Sequence, residues 1–325
     1  MIDDYLRTFN SMFFNVDDCK QVKHAIDQAS AVLSSIIFKY GEIENELSYG
    51  TSRQDDFVDT VICLFIRKIM EQLDAINVLY SVGSFAQAQI ILRSLIENIV
   101  SMEFILKDDT KKRAAAYCLE HHYQEIELGD ELFSGKSEHR EMLLKGGQEK
   151  QFNDACEAYK KKKSALERII KSRETFKQVD KARKEKLEQK KKGGKKKVYI
   201  QWYEVCSDVS SFRGLMKETG YEQYYKGIYG GLSFETHALN TAMSMGVSEN
   251  GIRLKYIRNP VEGGSTFSLA CTFAVGALRK LYDYLNDGEE EKQEFKAFFL
   301  DYEKKRDIAI HNLDMIRSMQ NSRKN

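Results

Sequence analysis

A chain of 325 residues with a 42% hydrophobic share holds enough apolar material for one large or two ordinary domains, which excludes a disordered or fibrous polymer. A single Pro, Pro260, together with 30% charged residues rich in Lys and Glu favours long helices over strands, so the expected class is all-α. The formal charge of +1 excludes a uniformly basic nucleic-acid binder, but between Lys181 and Lys197 ten Lys or Arg stand against two Glu, a local charge of about +8.

The first stretch, MIDDYLRTFNSMFF, reads as a short amphipathic helix over roughly residues 3 to 15, with early acids and no basic region before an apolar run. A long helix over roughly 17 to 46 follows, its apolar stripe formed by Val22, Ala25, Ile26, Ala29, Val32, Leu33, Ile36 and Ile37. The next, roughly 55 to 82, places Val58, Val61, Ile62, Phe65, Ile69, Leu73 and Ile76 at helical spacing. It ends in the turn Ser81-Val82-Gly83-Ser84. Its most apolar window, Phe57 to Ile66, is broken by Asp59 and Thr60 and falls short of the roughly 18 residues a membrane span needs. A fourth helix, from Ser84 to Asp109, turns Ile91, Leu95, Ile99, Met102 and Ile105 inward.

Thr110 to Phe133 forms another helix, with Arg113, Tyr117, His121 and Glu125 on one face. Beyond Gly146-Gly147 the character changes to a charged helix over roughly 148 to 191, which as one rod would be about 65 Å long. Phe152, Cys156, Tyr159, Leu166 and Ile170 keep a heptad-like step there. The expected organisation is a bundle half over residues 1–134, a charged arm with a basic tip over 135–197 that projects from it, and a second bundle half over 198–325. The second half contains the Tyr- and Gly-rich passage GYEQYYKGIYGGLSFETHALNTAMSMG. An irregular connection from Gly246 to Ser265 leads to closing helices over roughly 266 to 286 and 289 to 319.

Six Cys (Cys19, Cys63, Cys118, Cys156, Cys206, Cys271) lie far apart without a Cys-x-x-Cys pair, as free thiols of a reducing cytoplasm do. No Glu-x-x-His, His-Glu-x-x-His, phosphate-cradling Gly loop or Gly-x-Ser-x-Gly is present, so neither a metal nor another cofactor is expected. His121-His122 beside Glu120 and Glu125 is the one metal alternative, although adjacent His point about 100° apart on a helix.

Two constellations carry chemistry. In the closing helix, Arg306-Asp307-Ile308-Ala309-Ile310-His311 combines a permanent cation with an imidazole that titrates near neutrality. The imidazole can take the 2′-hydroxyl proton of RNA while the guanidinium stabilises the charged phosphate, without a metal. A step of five residues puts Arg306 and His311 about 140° apart on an ideal helix, so they converge only through a distorted helix end or a second subunit. A surface Arg pairing with Glu303 or Asp307 is the competing reading. The second constellation pairs Arg93 and Glu97, one turn apart, with Tyr229, Ser233 and His237: either a pocket with His237 as an alternative base, or a polar network fixing helix register.

The Arg-polar-x-x-x-His element resembles the signature of the HEPN superfamily, helical and usually dimeric metal-independent RNases of toxin and antiviral-defence systems. The resemblance implies catalysis by Arg306, Asp307 and His311, a homodimer, RNA as substrate and a possible partner protein of a toxin or defence system. Separately, AQIILRSLIENIVSMEFILKD and YYKGIYGGLSFETHALNTA resemble the hallmark stretches of an uncharacterised bacterial all-helical family of unknown function, over roughly residues 55 to 260. The alternative function is a non-enzymatic sensor or scaffold that binds nucleic acid or a partner through the basic tip. Its contacts would be Lys181, Arg183, Lys184, Lys190, Lys191, Lys192, Lys195, Lys196 and Lys197.

Overall fold

The computed structural model describes residues 13, 15–49, 57–133, 141–142, 145–147, 149–192, 198–235, 241, 244–248, 251–254, 257–258, 263–285 and 289–322. The fold is all-α with one small hairpin. After a 3-10 turn, Val16–Asp18, come α1 (Lys20–Tyr49), α2 (Phe57–Ser81), α3 (Phe85–Lys107), α4 (Thr110–Phe133), α5 (Glu149–Ser172) and α6 (Glu174–Lys192). Then follow α7 (Trp202–Cys206), α8 (Phe212–Glu218), a helical turn Glu222–Tyr224, a π-helical turn Tyr225–Tyr229, and α9 (Gly230–Glu235). The strands β1 (Met245–Ser248) and β2 (Gly251–Leu254) precede α10 (Gly263–Leu285) and α11 (Glu289–Ser322). The helix expected over residues 3 to 15 falls largely outside the described residues.

The chain divides into two compact units, one formed by Met1–Leu106 with Met216–Asn325 and the other by Lys107–Leu215. In the first, α1 packs on α2 and α11, and α10 packs on α11, α1 and α2. The apolar stripes supply the core. All seven apolar positions read from the α2 pattern are buried, joined by Ile66. On α1 the stripe from Val22 to Ile36 is buried, and Ile37 sits at its edge, half-buried. On α3 the inward face runs through Leu92, Leu95, Ile99, Met102 and Ile105, and Ile91 is half-buried beside it. The turn between α2 and α3 is closed by Gly83, whose φ of 71° is open to a residue without Cβ. Its amide donates to the Tyr80 carbonyl at 2.9 Å, and the Ser84 amide to that of Leu79 at 2.8 Å.

Part of the passage expected to be irregular forms a hairpin: β1 pairs antiparallel with β2, Met245 opposite Leu254 and Val247 opposite Ile252. The signal was a four-residue apolar alternation on each side of Glu249-Asn250-Gly251, with φ of 110° at Gly251.

In the second unit the charged stretch is not one rod. The helix breaks at Arg173, and α5 and α6 pack on each other and on α4, while α7 packs on α4 and α6. Of the heptad-like positions Phe152 and Leu166 are buried and Cys156, Tyr159 and Ile170 half-buried. Phe176 and Val179 of α6, outside that pattern, are buried too, and Phe133 meets the rings of Phe152 and Tyr159 at 5.8 and 5.5 Å. Gly129 of α4 permits this approach, because a Cβ there would lie 2.2 Å from the Tyr159 ring. The expected arm therefore belongs to a unit that also includes α4 and α7.

Candidate functional site

The first unit brings Arg93, Glu97, Tyr229 and Ser233 together. Arg93 and Glu97 lie one turn apart on α3, and the Arg93 Nε–H donates to Glu97 Oε1 at 3.2 Å. Tyr229 ends the π-helical turn, its ring under the Arg93 guanidinium with 4.8 Å between the charge centre and the centroid. Its hydroxyl donates to Glu97 Oε1 at 2.6 Å and accepts from Arg93 Nη2 at 3.1 Å. Burial, then Glu97, hold the Tyr229 phenol well above its ordinary range, so it acts as a donor and not as a base. Tyr225 stacks on Tyr229 at 5.6 Å, and Ser233 spends its hydroxyl on the Tyr229 carbonyl at 3.2 Å. His237 lies outside the described residues.

A second polar cluster was missing from the sequence reading. The Glu103 carboxylate on α3 is fully buried, receives the Tyr221 hydroxyl at 2.8 Å and pairs with Lys280 of α10. Lys280 also donates to the Thr219 carbonyl at 3.2 Å and lies 5.1 Å from the Tyr221 ring centroid. Burial raises the Glu103 carboxyl above its usual value, with Lys280 and Tyr221 opposing. The only signal available in the sequence was Glu103 inside an otherwise apolar helix face. A third set, on α2 and α3, links Gln72 to Ser94 at 2.8 Å and Asn98 to Gln72 at 3.0 Å.

The Arg306 element lies on α11, an unbroken helix from Glu289 to Ser322, which removes a distorted helix end as a way to bring Arg306 and His311 together. The two side chains occupy different faces. Arg306 is half-buried at the edge of the face that buries Tyr302, Ala309, Leu313 and Ile316. Its Nε–H and Nη2–H donate to Asp307 Oδ1 at 3.0 and 2.8 Å, and its charge centre lies 5.4 Å from the Tyr302 ring centroid. Desolvation pushes the guanidinium down, but Asp307 and Tyr302 together hold it above its ordinary value. His311 is exposed, on the side of the helix that also leaves Leu300, Ile308 and Met315 at 52%, 52% and 42% exposure.

The basic run divides between structural and solvent-facing charges. Arg183 is buried against Glu120, with side-chain exposures of 9% and 6%, and also reaches Glu127 at 3.3 Å while covering the Tyr123 ring. It is therefore not a surface cation. Lys184 pairs with Asp180 at 2.6 Å, and Lys190 pairs with Glu204 at 2.5 Å. Lys181, Lys191 and Lys192 are exposed, whereas Lys195, Lys196 and Lys197 lie outside the described residues.

Among the described residues no group of three or more His, Cys, Asp or Glu is placed to hold a metal ion, and no helix is long and apolar enough to cross a membrane. His122 lies 3.9 Å from Glu125, but that carboxylate is engaged by Lys162 at 2.8 Å. Burial pushes the Cys271 thiol up to about 12 and the Cys206 thiol up to about 11, so neither is activated.

Comparison with protein families matches residues 59–252 to DUF5677, a family of unknown function. The match spans the Arg93, Glu97, Tyr229 and Ser233 cluster and ends before Arg306 and His311. No curated protein and no solved structure matches the chain.

Proposed function

We propose that this chain, which belongs to the DUF5677 family of unknown function, is a HEPN-like metal-independent endoribonuclease whose site is completed by a second copy of the chain. The observation that carries the reading is the division of labour on α11. Arg306 is held by Asp307 and Tyr302 on one side of the helix, and His311 stands in solvent among uncovered apolar residues on another. One copy cannot close an Arg and a His from such faces on one phosphate. A two-fold pair can, since each copy then presents its Arg306 toward the partner's imidazole across a shared cleft.

In this reading the His311 imidazole takes the proton of a ribose 2′-hydroxyl, and the resulting oxyanion attacks the adjacent phosphorus. The bond to the 5′-oxygen breaks, that oxygen leaves with a proton, and a cyclic phosphate remains. Arg306 meets the charge that builds on the phosphate oxygens. Asp307 holds two of the five guanidinium N–H groups, so donors beyond that pair are left for substrate. The setting implied by the HEPN resemblance is a toxin or antiphage system in the cytoplasm, with or without a partner protein. The Arg93, Glu97 and Tyr229 cluster acts in this reading as a register-fixing network, because every one of its charges is answered within the cluster.

The test is cleavage of single-stranded RNA by the purified chain in the presence of a chelator. Wild type is expected to cleave; His311→Ala and Arg306→Ala are expected to abolish cleavage with the melting temperature unchanged. Equal cleavage by both variants would sink the assignment.

A second reading, nucleic-acid binding without cleavage, draws on the exposed Lys181, Lys191 and Lys192. It loses Arg183, Lys184 and Lys190 to internal pairs, and predicts salt-sensitive, sequence-blind binding that a Lys181→Ala, Lys191→Ala, Lys192→Ala triple variant weakens.

A further inference from the structure

Tyr302 sits one turn before Arg306 on α11 and is 2% exposed. Its ring is fixed on two sides, stacked on Phe298 at 6.1 Å and tilted against Phe299 at 6.0 Å. Its hydroxyl lies beside the fully buried Cys271 thiol of α10 and the Arg306 guanidinium. Yet that hydroxyl completes no well-formed hydrogen bond among the described residues. A buried hydroxyl without a partner costs stability, and a phenylalanine would fill the same space without that cost. A phenol at this place is therefore explained by what it does for its neighbour, not by packing.

We infer that Tyr302 is a positioning residue for Arg306: its ring and hydroxyl hold the guanidinium at the edge of α11 when a phosphate draws it away from Asp307. The geometry gives each part a task. The Tyr302 ring offers its face to the cation, with 5.4 Å from the charge centre to the centroid, and the hydroxyl oxygen supplies an acceptor on the buried side. Asp307, on the exposed side, is the partner that a phosphate would replace. Tyr302 is the partner that stays, because its ring is locked by Phe298 and Phe299. What the held guanidinium serves rests on the RNA-cleavage reading above; that Tyr302 holds it does not.

The experiment follows the Arg306 Nε–H by nitrogen-15 NMR in the full chain, its signal identified by its loss in Arg306→Lys. In Asp307→Ala, exchange of this proton with solvent is expected to remain several-fold slower than that of the exposed Arg168. Adding Tyr302→Phe is expected to lower that protection, because the hydroxyl is lost while the ring face stays. Exchange as fast as that of Arg168 in Asp307→Ala, or exchange unaffected by Tyr302→Phe, overturns the inference, and the first of these needs no folded Tyr302 variant. With RNA, Tyr302→Phe is expected to lower kcat roughly tenfold or more with little change in KM, as loss of orientation does. Wild type that cleaves no RNA would remove the cleavage reading alone and leave the exchange result to decide the role of Tyr302.

Discussion

The hydroxyl of Tyr229 joins the two charges of the Arg93 and Glu97 pair, donating to Glu97 at 2.6 Å across 132 residues of sequence and accepting from Arg93 at 3.1 Å across 136. The contact ties the π-helical turn to α3. π-Helical turns are uncommon because they misalign the backbone ladder, and a side chain aimed at a specific partner is a frequent reason for one. Tyr229→Phe keeps the ring under Arg93 and removes both hydrogen bonds. The expected loss is about 1 to 2 kcal/mol, read as a lower urea midpoint with an unchanged slope. If the cluster is instead a ligand cradle, Tyr229→Phe leaves stability nearly unchanged and a nucleotide or related metabolite raises the melting temperature of wild type only.

Glu103 and Lys280 make a less forgiving pair, since the Glu103 side chain has no exposed surface and Lys280 is 41% exposed. Lys280→Ala leaves a carboxylate buried with only the Tyr221 hydroxyl, and a loss of about 3 kcal/mol is expected near neutral pH. Burial raises the Glu103 carboxyl, so the folded chain binds its proton more tightly than the unfolded chain does. The stability this gives is present in acid and fades as pH rises through the raised value. The Lys280→Ala penalty is therefore expected to grow as pH rises from the ordinary carboxyl range through the raised one, and Glu103→Gln to flatten the pH dependence of wild type. A penalty equal at both ends, measured by urea unfolding, would place the charge elsewhere.

Helical periodicity made the core legible because burial follows a 3.6-residue repeat: the α2 stripe from Val58 to Ile76 is buried at each position that the pattern marks. The Arg93, Glu97 and Tyr229 contact was legible for a different reason, two polar residues one turn apart in an apolar helix and an aromatic-rich passage needing a partner. Pairing across distant helices was not. Nothing local tells that Glu103 meets Lys280, 177 residues later, or that Arg183 lies under a basic run only to be buried on Glu120. The rod expected over residues 148 to 191 failed at Arg173 because helix propensity continues through that residue, while burial of Phe152 and Phe176 rewards a fold-back that propensity does not encode.

Within the basic run, structural and solvated cations should separate cleanly by mutation. Arg183→Ala strands the nearly buried Glu120 carboxylate and uncovers Tyr123, and is expected to cost about 3 to 5 kcal/mol. Lys191→Ala removes an exposed charge and should stay within about 0.5 kcal/mol of wild type. Thermal unfolding of the two variants side by side decides it. A neutral Arg183→Ala would mean that α6 does not hold the second unit together through this pair.

The proposed two-fold site leads to a mixing experiment that no single-copy site passes. Arg306→Ala and His311→Ala are each expected to be inactive as homodimers, since every shared site then lacks one of its two groups. When the variants are unfolded together, refolded and allowed to pair, half of the dimers combine one of each. In such a dimer one site takes Arg306 from the His311→Ala copy and His311 from the Arg306→Ala copy, and both of its groups are native. The other site lacks both. Recovered RNA cleavage should therefore approach about a quarter of the wild-type rate at equal total protein, the fraction that symmetric pairing allows. A site built within one copy recovers nothing on mixing, because the partner supplies no missing group. The regular course of α11 between the two residues already argues for the first outcome.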